Sequence, residues 1–180
     1  LYANLDGIKA KYDISSGNIL DRYILSKLKI AVGRIENSMD QFDTVEAYAA
    51  ITDFFEVLNN WYIRRSRSRF WKTEQDADKL SAYNTLYTCL EVMMKAMSSL
   101  LPLISENIYR SLTGGPSVHL EDFPNVEEIK IEENLVKAMD QVLDICNAAL
   151  FIRSEENIRI RQPLSKLLIH LDGVDIGTYD

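Results

Sequence analysis

Leu20–Met39 reads LDRYILSKLKIAVGRIENSM. Its apolar positions Leu20, Ile24, Leu28, Val32, Ile35 and Met39 are spaced by four, four, four, three and four residues. Steps of three and four return a side chain to one helical face, so the run predicts a helix with one buried stripe, opening at Asn18 or Ile19. Such a stripe needs partners, and the periodicity recurs downstream. Asp43 and Glu46 form a D-x-x-E start signal, with acids favoured at the positive end of a helix dipole. Behind it, Tyr48, Ile51, Phe55, Leu58 and Tyr62 repeat at helical spacing, with Phe54, Val57 and Trp61 broadening the face. This second helix is predicted to continue to about Trp71.

A polar, acidic turn over Thr73–Asp78 precedes a third stripe of Leu80, Tyr83, Tyr87, Leu90, Met94, Met97 and Leu101. Pro102 has no backbone N–H to donate and clashes one turn back, so the helix kinks or restarts there. Ile104, Ile108 and Leu112 carry the pattern to a firm stop at Thr113-Gly114-Gly115-Pro116. After an extended connector from Ser117 to Pro124, a last helix is predicted from Glu132 to Ile152. Beyond Asn157, Ile158 and Ile160 alternate with Arg159 and Arg161, and Leu167-Leu168-Ile169 suggests a short strand. The predicted fold is all-α: an antiparallel helix bundle of four to five long helices with a short non-helical C-terminal appendix. Residues 1–17 are a leading segment, 18–157 the bundle and 158–180 the start of a junction. Leu28, Phe55, Leu90 and Val142 are expected in the core.

Composition agrees with this reading. The 180 residues include 7 Gly and 4 Pro, with 47 % hydrophobic and 26 % charged side chains. Disorder, collagen and a β-sandwich each require another composition. No apolar run nears the ~20 residues that span a bilayer. The chain opens at Leu1 without a signal-peptide pattern and is expected to be a piece of a larger protein. Cys89 and Cys146, 57 residues apart, are expected to be reduced helix residues of a cytosolic protein. His119 and His170 lack ligand-spaced partners and read as structural or surface residues.

The net charge of −7 argues against a nucleic-acid partner until its distribution is considered. Asn59–Lys72 holds Arg64, Arg65, Arg67, Arg69 and Lys72 and no acid, whereas Glu121–Glu133 holds six acids against Lys130. A local basic stripe, not the molecular sum, determines phosphate binding. On an ideal helix Trp61, Arg65, Arg69 and Lys72 fall within about 80° of one another. Arginines fork onto phosphates, and an aromatic face stacks a base or an arginine. Trp61, Tyr62, Phe70 and Trp71 read first as core or boundary residues, since large aromatics usually pack, with stacking as the alternative. Arg159 and Arg161, before Gln162-Pro163-Leu164, would share one side of a strand, either holding RNA or fastening the appendix through carboxylates. The Glu-x-x-His pairs of a di-metal bundle, a P-loop, a GxGxxG turn and a nucleophile elbow are all missing from the sequence.

Asn60-Trp61-Tyr62-Ile63-Arg64-Arg65-Ser66-Arg67 followed by Arg69-Phe70-Trp71 resembles the anticodon-binding helix bundle of the class I isoleucyl-tRNA synthetase family. Four further segments agree in order: Tyr2–Gly7, Leu20-Asp21-Arg22-Tyr23-Ile24-Leu25-Ser26, Ser117–Pro124 and Ile160-Arg161-Gln162-Pro163-Leu164. Tyr23 stands where the family pattern has tryptophan. The resemblance implies a cytoplasmic ligase that uses ATP and magnesium to charge isoleucine onto its tRNA. Its HIGH and KMSKS signatures are absent here and would lie upstream, with the editing domain. The implied role of this part is to position isoleucine-specific tRNA, without catalytic residues, cofactor or metal of its own and without DNA or membrane contact. The implied tRNA contacts are Trp61, Arg64, Arg65, Arg67, Arg69, Lys72, Arg159 and Arg161. The rival expectation is a helical interaction module whose basic stripe meets an acidic protein.

Overall fold

A computed structural model of the chain describes residues 7–169. Residues 2–6 of the Tyr2–Gly7 motif, His170 and the rest of the junction lie outside the described residues. Two compact units divide at Glu132 and Glu133.

Among the described residues, the first unit holds five α-helices: α1 (Ile19–Asp40), α2 (Thr44–Val57), α3 (Arg67–Trp71), α4 (Ala77–Ala96) and α5 (Pro102–Thr113). A π-helical segment, Leu58–Ile63, follows α2 directly. The second unit contains α6 (Glu133–Glu155) and the turns after it. Helix architecture without strands among the described residues fits the predicted bundle class.

The local signals act as their chemistry dictates. The Asn18 side chain accepts from Leu20 N–H and opens α1. Asp43 accepts from Glu46 N–H at 3.0 Å and opens α2. The return half of that capping box is not made. The Asp43 N–H donates to the Ser38 carbonyl instead, leaving the Glu46 carboxylate for Arg34. Pro102 restarts the chain as the first residue of α5, where its missing N–H costs nothing. Gly114 ends α5 at φ 73°, a left-handed conformation that favours glycine.

The core of the first unit joins Ile24, Leu28, Val32 and Ile35 of α1 to Ile51 and Phe54 of α2, Leu58 and Tyr62, and Cys89 and Met93 of α4. Leu28 is fully buried, as expected. Phe55, Leu90 and Val142 are only half-buried. The buried face of α4 is wider than the predicted stripe. Tyr83, Met94 and Met97 of that stripe are buried, and so are Ala82, Thr85, Thr88, Cys89, Val92, Met93 and Ala96, while Leu80 is 43 % exposed. The reason is that small and polar side chains line this face to receive other backbone. Asn84 Oδ1 accepts from Lys11 N–H at 3.0 Å, and Thr88 Oγ1 from Asp13 N–H at 2.9 Å. Tyr48, expected inside, is also exposed. In the second unit α6 runs three residues past its predicted end. Leu167–Ile169 form no strand, and Arg159 and Arg161 lie in or beside turns. No helix among the described residues is long and apolar enough to cross a membrane.

Candidate nucleic-acid interface

The basic segment is not one continuous helix. The π turn over Leu58–Ile63 spends more residues per turn than an α-helix, and the chain leaves helical geometry at Ser66 before α3 begins. The 80° clustering of Trp61, Arg65, Arg69 and Lys72 therefore does not survive, and the segment sorts into outward and inward groups.

Arg64, Arg65, Arg67 and Lys72 are exposed. Two of these cations lie over tryptophans. The Arg65 guanidinium sits 4.7 Å from the Trp61 ring centroid, and that of Arg67 sits 4.9 Å from Trp71. Both pairs are four residues apart, the spacing that stacks side chains along a helix face. Trp61 is 7 % exposed, so its indole is a buried floor beneath Arg65; its Nε1, like the Ser66 hydroxyl, is buried without a protein partner. Trp71 is 55 % exposed and is the accessible indole of the segment. It was absent from the expected contacts, although the R-x-x-x-W spacing from Arg67 marks it. Lys72 donates to Asp76 at 2.9 Å and lies 3.5 Å from Asp78. Its ammonium pKa is raised by these carboxylates, chiefly through the Asp76 hydrogen bond.

Arg69 is different. It was expected outside the core, and it is buried instead, with 7 % of its surface exposed. Its Nη1 and Nη2 fork onto the Asp21 carboxylate at 2.6 and 2.8 Å. Nε donates to Asp78 Oδ1 at 2.9 Å, and Nη2 also reaches the Asp78 carbonyl at 3.1 Å. Asp21 has no exposed surface and further accepts from the Tyr62 hydroxyl at 2.8 Å and Ser16 Oγ at 2.6 Å. The physical reason for the correction is satisfaction of charge. A guanidinium with two carboxylates and a carbonyl around it can be buried, where an unpaired one cannot. Burial by itself lowers the Arg69 pKa, but the hydrogen bond and charge of Asp21 outweigh it and raise the pKa overall. Burial is the largest cause raising the Tyr62 pKa, followed by the Asp21 charge. The signal for this cage was an acid, Asp21, directly after Leu20 of the apolar stripe in Leu20-Asp21-Arg22-Tyr23-Ile24-Leu25, and no spacing pointed from it to Arg69.

Arg159 and Arg161 belong to the second unit and are exposed. Nearby, Arg153 Nη1 donates to the carbonyls of Arg159, Ile160 and Gln162 at 2.9, 3.3 and 3.0 Å, fastening the turn onto α6 without a carboxylate. Cys89 is buried, Cys146 is half-buried, and both are free thiols. Burial pushes the Cys89 thiol pKa up, away from nucleophile chemistry. Among the described residues no group of three His, Cys, Asp or Glu side chains could hold a metal ion.

The surface thus offers exposed cations and an accessible indole on an acidic chain, a composition suited to an anionic partner with stacking faces. Comparison with known proteins agrees. An isoleucine–tRNA ligase of Rickettsia bellii (strain OSU 85-389) is 58 % identical over 191 residues, covering 94 % of this chain and 17 % of the relative. That of Rickettsia felis is 51 % identical over 204 residues, covering 94 % and 19 %. That of Rickettsia prowazekii (strain Madrid E) is 51 % identical over 196 residues, covering 94 % and 18 %. The chain therefore spans less than a fifth of the length of these relatives. The family described as the anticodon-binding domain of tRNA ligase matches residues 21–168, from the carboxylate that holds Arg69 to beyond both outlying arginines. With that match covering most of its length, the chain belongs to the anticodon-binding domain family of tRNA ligases.

Proposed function

We propose that this chain is the tRNA-positioning module of an isoleucine–tRNA ligase and meets isoleucine-specific tRNA through the exposed part of its basic segment. The observation that carries the reading is the pair of arginine–tryptophan stacks, flanked by Arg64 and Lys72, on a chain of net charge −7. Guanidinium groups held over indoles are oriented before binding and retain N–H donors for phosphate oxygens, while the exposed part of the Trp71 indole suits an unpaired base. Residues 18–157 act as the tRNA-binding bundle, and 158–180 lead towards the next part of the ligase. Arg159 and Arg161 add a second cationic site on the other unit. Activation of isoleucine with ATP and magnesium, and editing, belong to other domains of the same cytoplasmic ligase. No described donor cluster here fits a metal, and no step runs through one.

The test is binding over a salt series with isoleucine tRNA and a tRNA of another identity. Each phosphate contact contributes roughly 0.7–0.9 to the slope of log affinity against log salt. Arg65→Ala with Arg67→Ala should flatten that slope by between one and two units while circular dichroism stays unchanged. Unaltered binding by this double variant would remove the stacks from the interface. Equal affinity for any polyanion would favour a generic acidic partner.

A further inference from the structure

We propose that Arg69 is a positioning residue: from inside the protein it sets the geometry of the exposed arginine–tryptophan surface, and it does not touch RNA. The inference rests on the reading that this surface meets tRNA, and it deepens that reading.

The turn that carries the surface cannot hold itself. α3 has five residues, and its preceding Ser66 makes no side-chain cap. One helical turn fixes several backbone dihedrals for few hydrogen bonds, so alone it is unfavourable. Side chains restrain it. Lys79, buried on α4, donates its ammonium to the Lys72 carbonyl at the turn's end. The Tyr83 hydroxyl approaches the Phe70 carbonyl at 3.4 Å. From within the turn, the buried Phe70 ring packs edge-on against Tyr62 and Tyr83, and Arg69 supplies the polar anchor. Arg69 reaches Asp21 in the first turn of α1 and Asp78 in the first turn of α4. Arg67 lies two residues before it and Trp71 two residues after.

The Asp21 carboxylate is also the acceptor for Tyr62, within the π segment and next to Trp61. One buried carboxylate therefore ties both ends of the basic segment to α1: the Trp61–Arg65 end through Tyr62, and the Arg67–Trp71 end through Arg69. The Arg69 charge is balanced on the spot and shielded from solvent, so its removal together with Asp21 leaves the external field almost unaltered. What changes is where the exposed side chains stand. Misplaced contacts lose affinity because order must then be imposed during binding.

This separates a positioning residue from a contact residue in one measurement. The isoelectric double variant Asp21→Asn with Arg69→Met replaces the ion pair by neutral groups of similar reach. Its affinity for isoleucine tRNA should fall on the order of tenfold, with the salt slope unchanged, because no phosphate contact has gone. Acrylamide quenching of the two tryptophans, the only ones in the chain, should increase as the stacks loosen. A slope reduced by about one unit would show Arg69 on a phosphate and overturn the proposal. Unchanged affinity would overturn it equally. If circular dichroism shows that the double variant fails to fold, Arg69→Lys decides. It keeps the charge but cannot fork onto Asp21 and reach Asp78 together, so binding should fall at constant slope with helix intact; normal binding overturns the proposal. The Arg65→Ala with Arg67→Ala variant is run alongside. If that variant binds normally, the tRNA surface itself is misassigned, an outcome independent of how Arg69 behaves.

Discussion

Arg34 and Arg69 use the same chemistry in two regions of the first unit. Each forks onto carboxylates from two places in the chain. Between α1 and α2, Arg34 reaches Glu46 at 2.6 Å and Asp53 at 2.9 Å. At the junction of α1, α3 and α4, Arg69 reaches Asp21 at 2.6 Å and Asp78 at 2.9 Å. Distances do not distinguish the two. Exposure does: the Arg34 side chain is 38 % exposed and its partners 46 % and 60 %, whereas Arg69 is 8 % exposed and Asp21 not at all. Water can take over each bond of the first fork when a partner is removed; in the second it reaches the Asp78 side, where the side chain is 38 % exposed, but not the Asp21 side. Equal geometry thus produces one decorative pair and one structural cage, with Tyr62 and Ser16 completing the latter.

The largest effect should follow from breaking the cage on one side. Asp21→Ala takes the bidentate acceptor from a buried guanidinium, which keeps only Asp78, and the closer of two acceptors from the buried Tyr62 hydroxyl, which keeps the Ala82 carbonyl at 3.3 Å. Destabilisation of about 3–5 kcal/mol is expected, the range for uncompensating a buried charge, read from the denaturant midpoint at constant slope. A loss below 1 kcal/mol would mean that the junction admits water. Next comes the apolar packing around the cage. Leu28→Ala removes a side chain with no exposed surface and should cost roughly 2–5 kcal/mol. Leu90→Ala, at a half-buried position, should cost clearly less, and the reverse order would return Leu90 to the buried stripe of α4.

Acid sharpens the same contrast. Burial raises the Asp78 pKa, but the Arg69 hydrogen bond and charge outweigh it, so its carboxyl sits below the usual range. Glu132 is likewise lowered, first by its hydrogen bond to Arg22. A depressed folded pKa means that the unfolded chain takes up the proton first. The stability these groups contribute is present above the ordinary carboxylate pKa of about 4 and is lost as pH falls through the lower folded value. Melting temperature should therefore decline below about pH 4, and Asp78→Asn should remove part of that decline. An identical acid profile in the variant would disconnect Asp78 from the linkage.

Legibility in the sequence follows the same physics. Caps, the Pro102 restart and the Gly114 stop were readable because each depends on a few adjacent residues. The α1 stripe was readable because its period stays constant for five turns. Past Leu58 the period changes through the π segment, and nothing in Leu58-Asn59-Asn60 announces it. Every azimuth projected beyond that point was displaced, which put Arg69 outside and Trp71 among the core or boundary residues. The α4 stripe was incomplete for a second reason. Its buried face also includes Asn84 and Thr88, which accept from backbone of the leading segment, and Thr85, so apolar spacing alone missed part of it. Long-range pairing of Asp21 with Arg69, 48 residues apart, leaves no periodic trace.

The smallest expected effect belongs to the outer fork, and it is the most discriminating. Arg34→Ala removes three hydrogen bonds, from Nε and Nη2 to Glu46 and from Nη1 to Asp53. By bond count this loss rivals the loss at Arg69. By environment it should be at most about 1 kcal/mol, because both carboxylates return to water and the order that held the pair is no longer imposed. Salt should erase what remains, since exposed charges are screened within about 10 Å at 0.1 M. The Arg34 pKa is raised, first by its hydrogen bond to Glu46, showing that the pair is formed; its formation is not a measure of its worth. Chemical denaturation of Arg34→Ala in urea at low and high salt gives the answer. A salt-independent loss of 2 kcal/mol or more would mean that counting bonds, not burial, ranks the two forks.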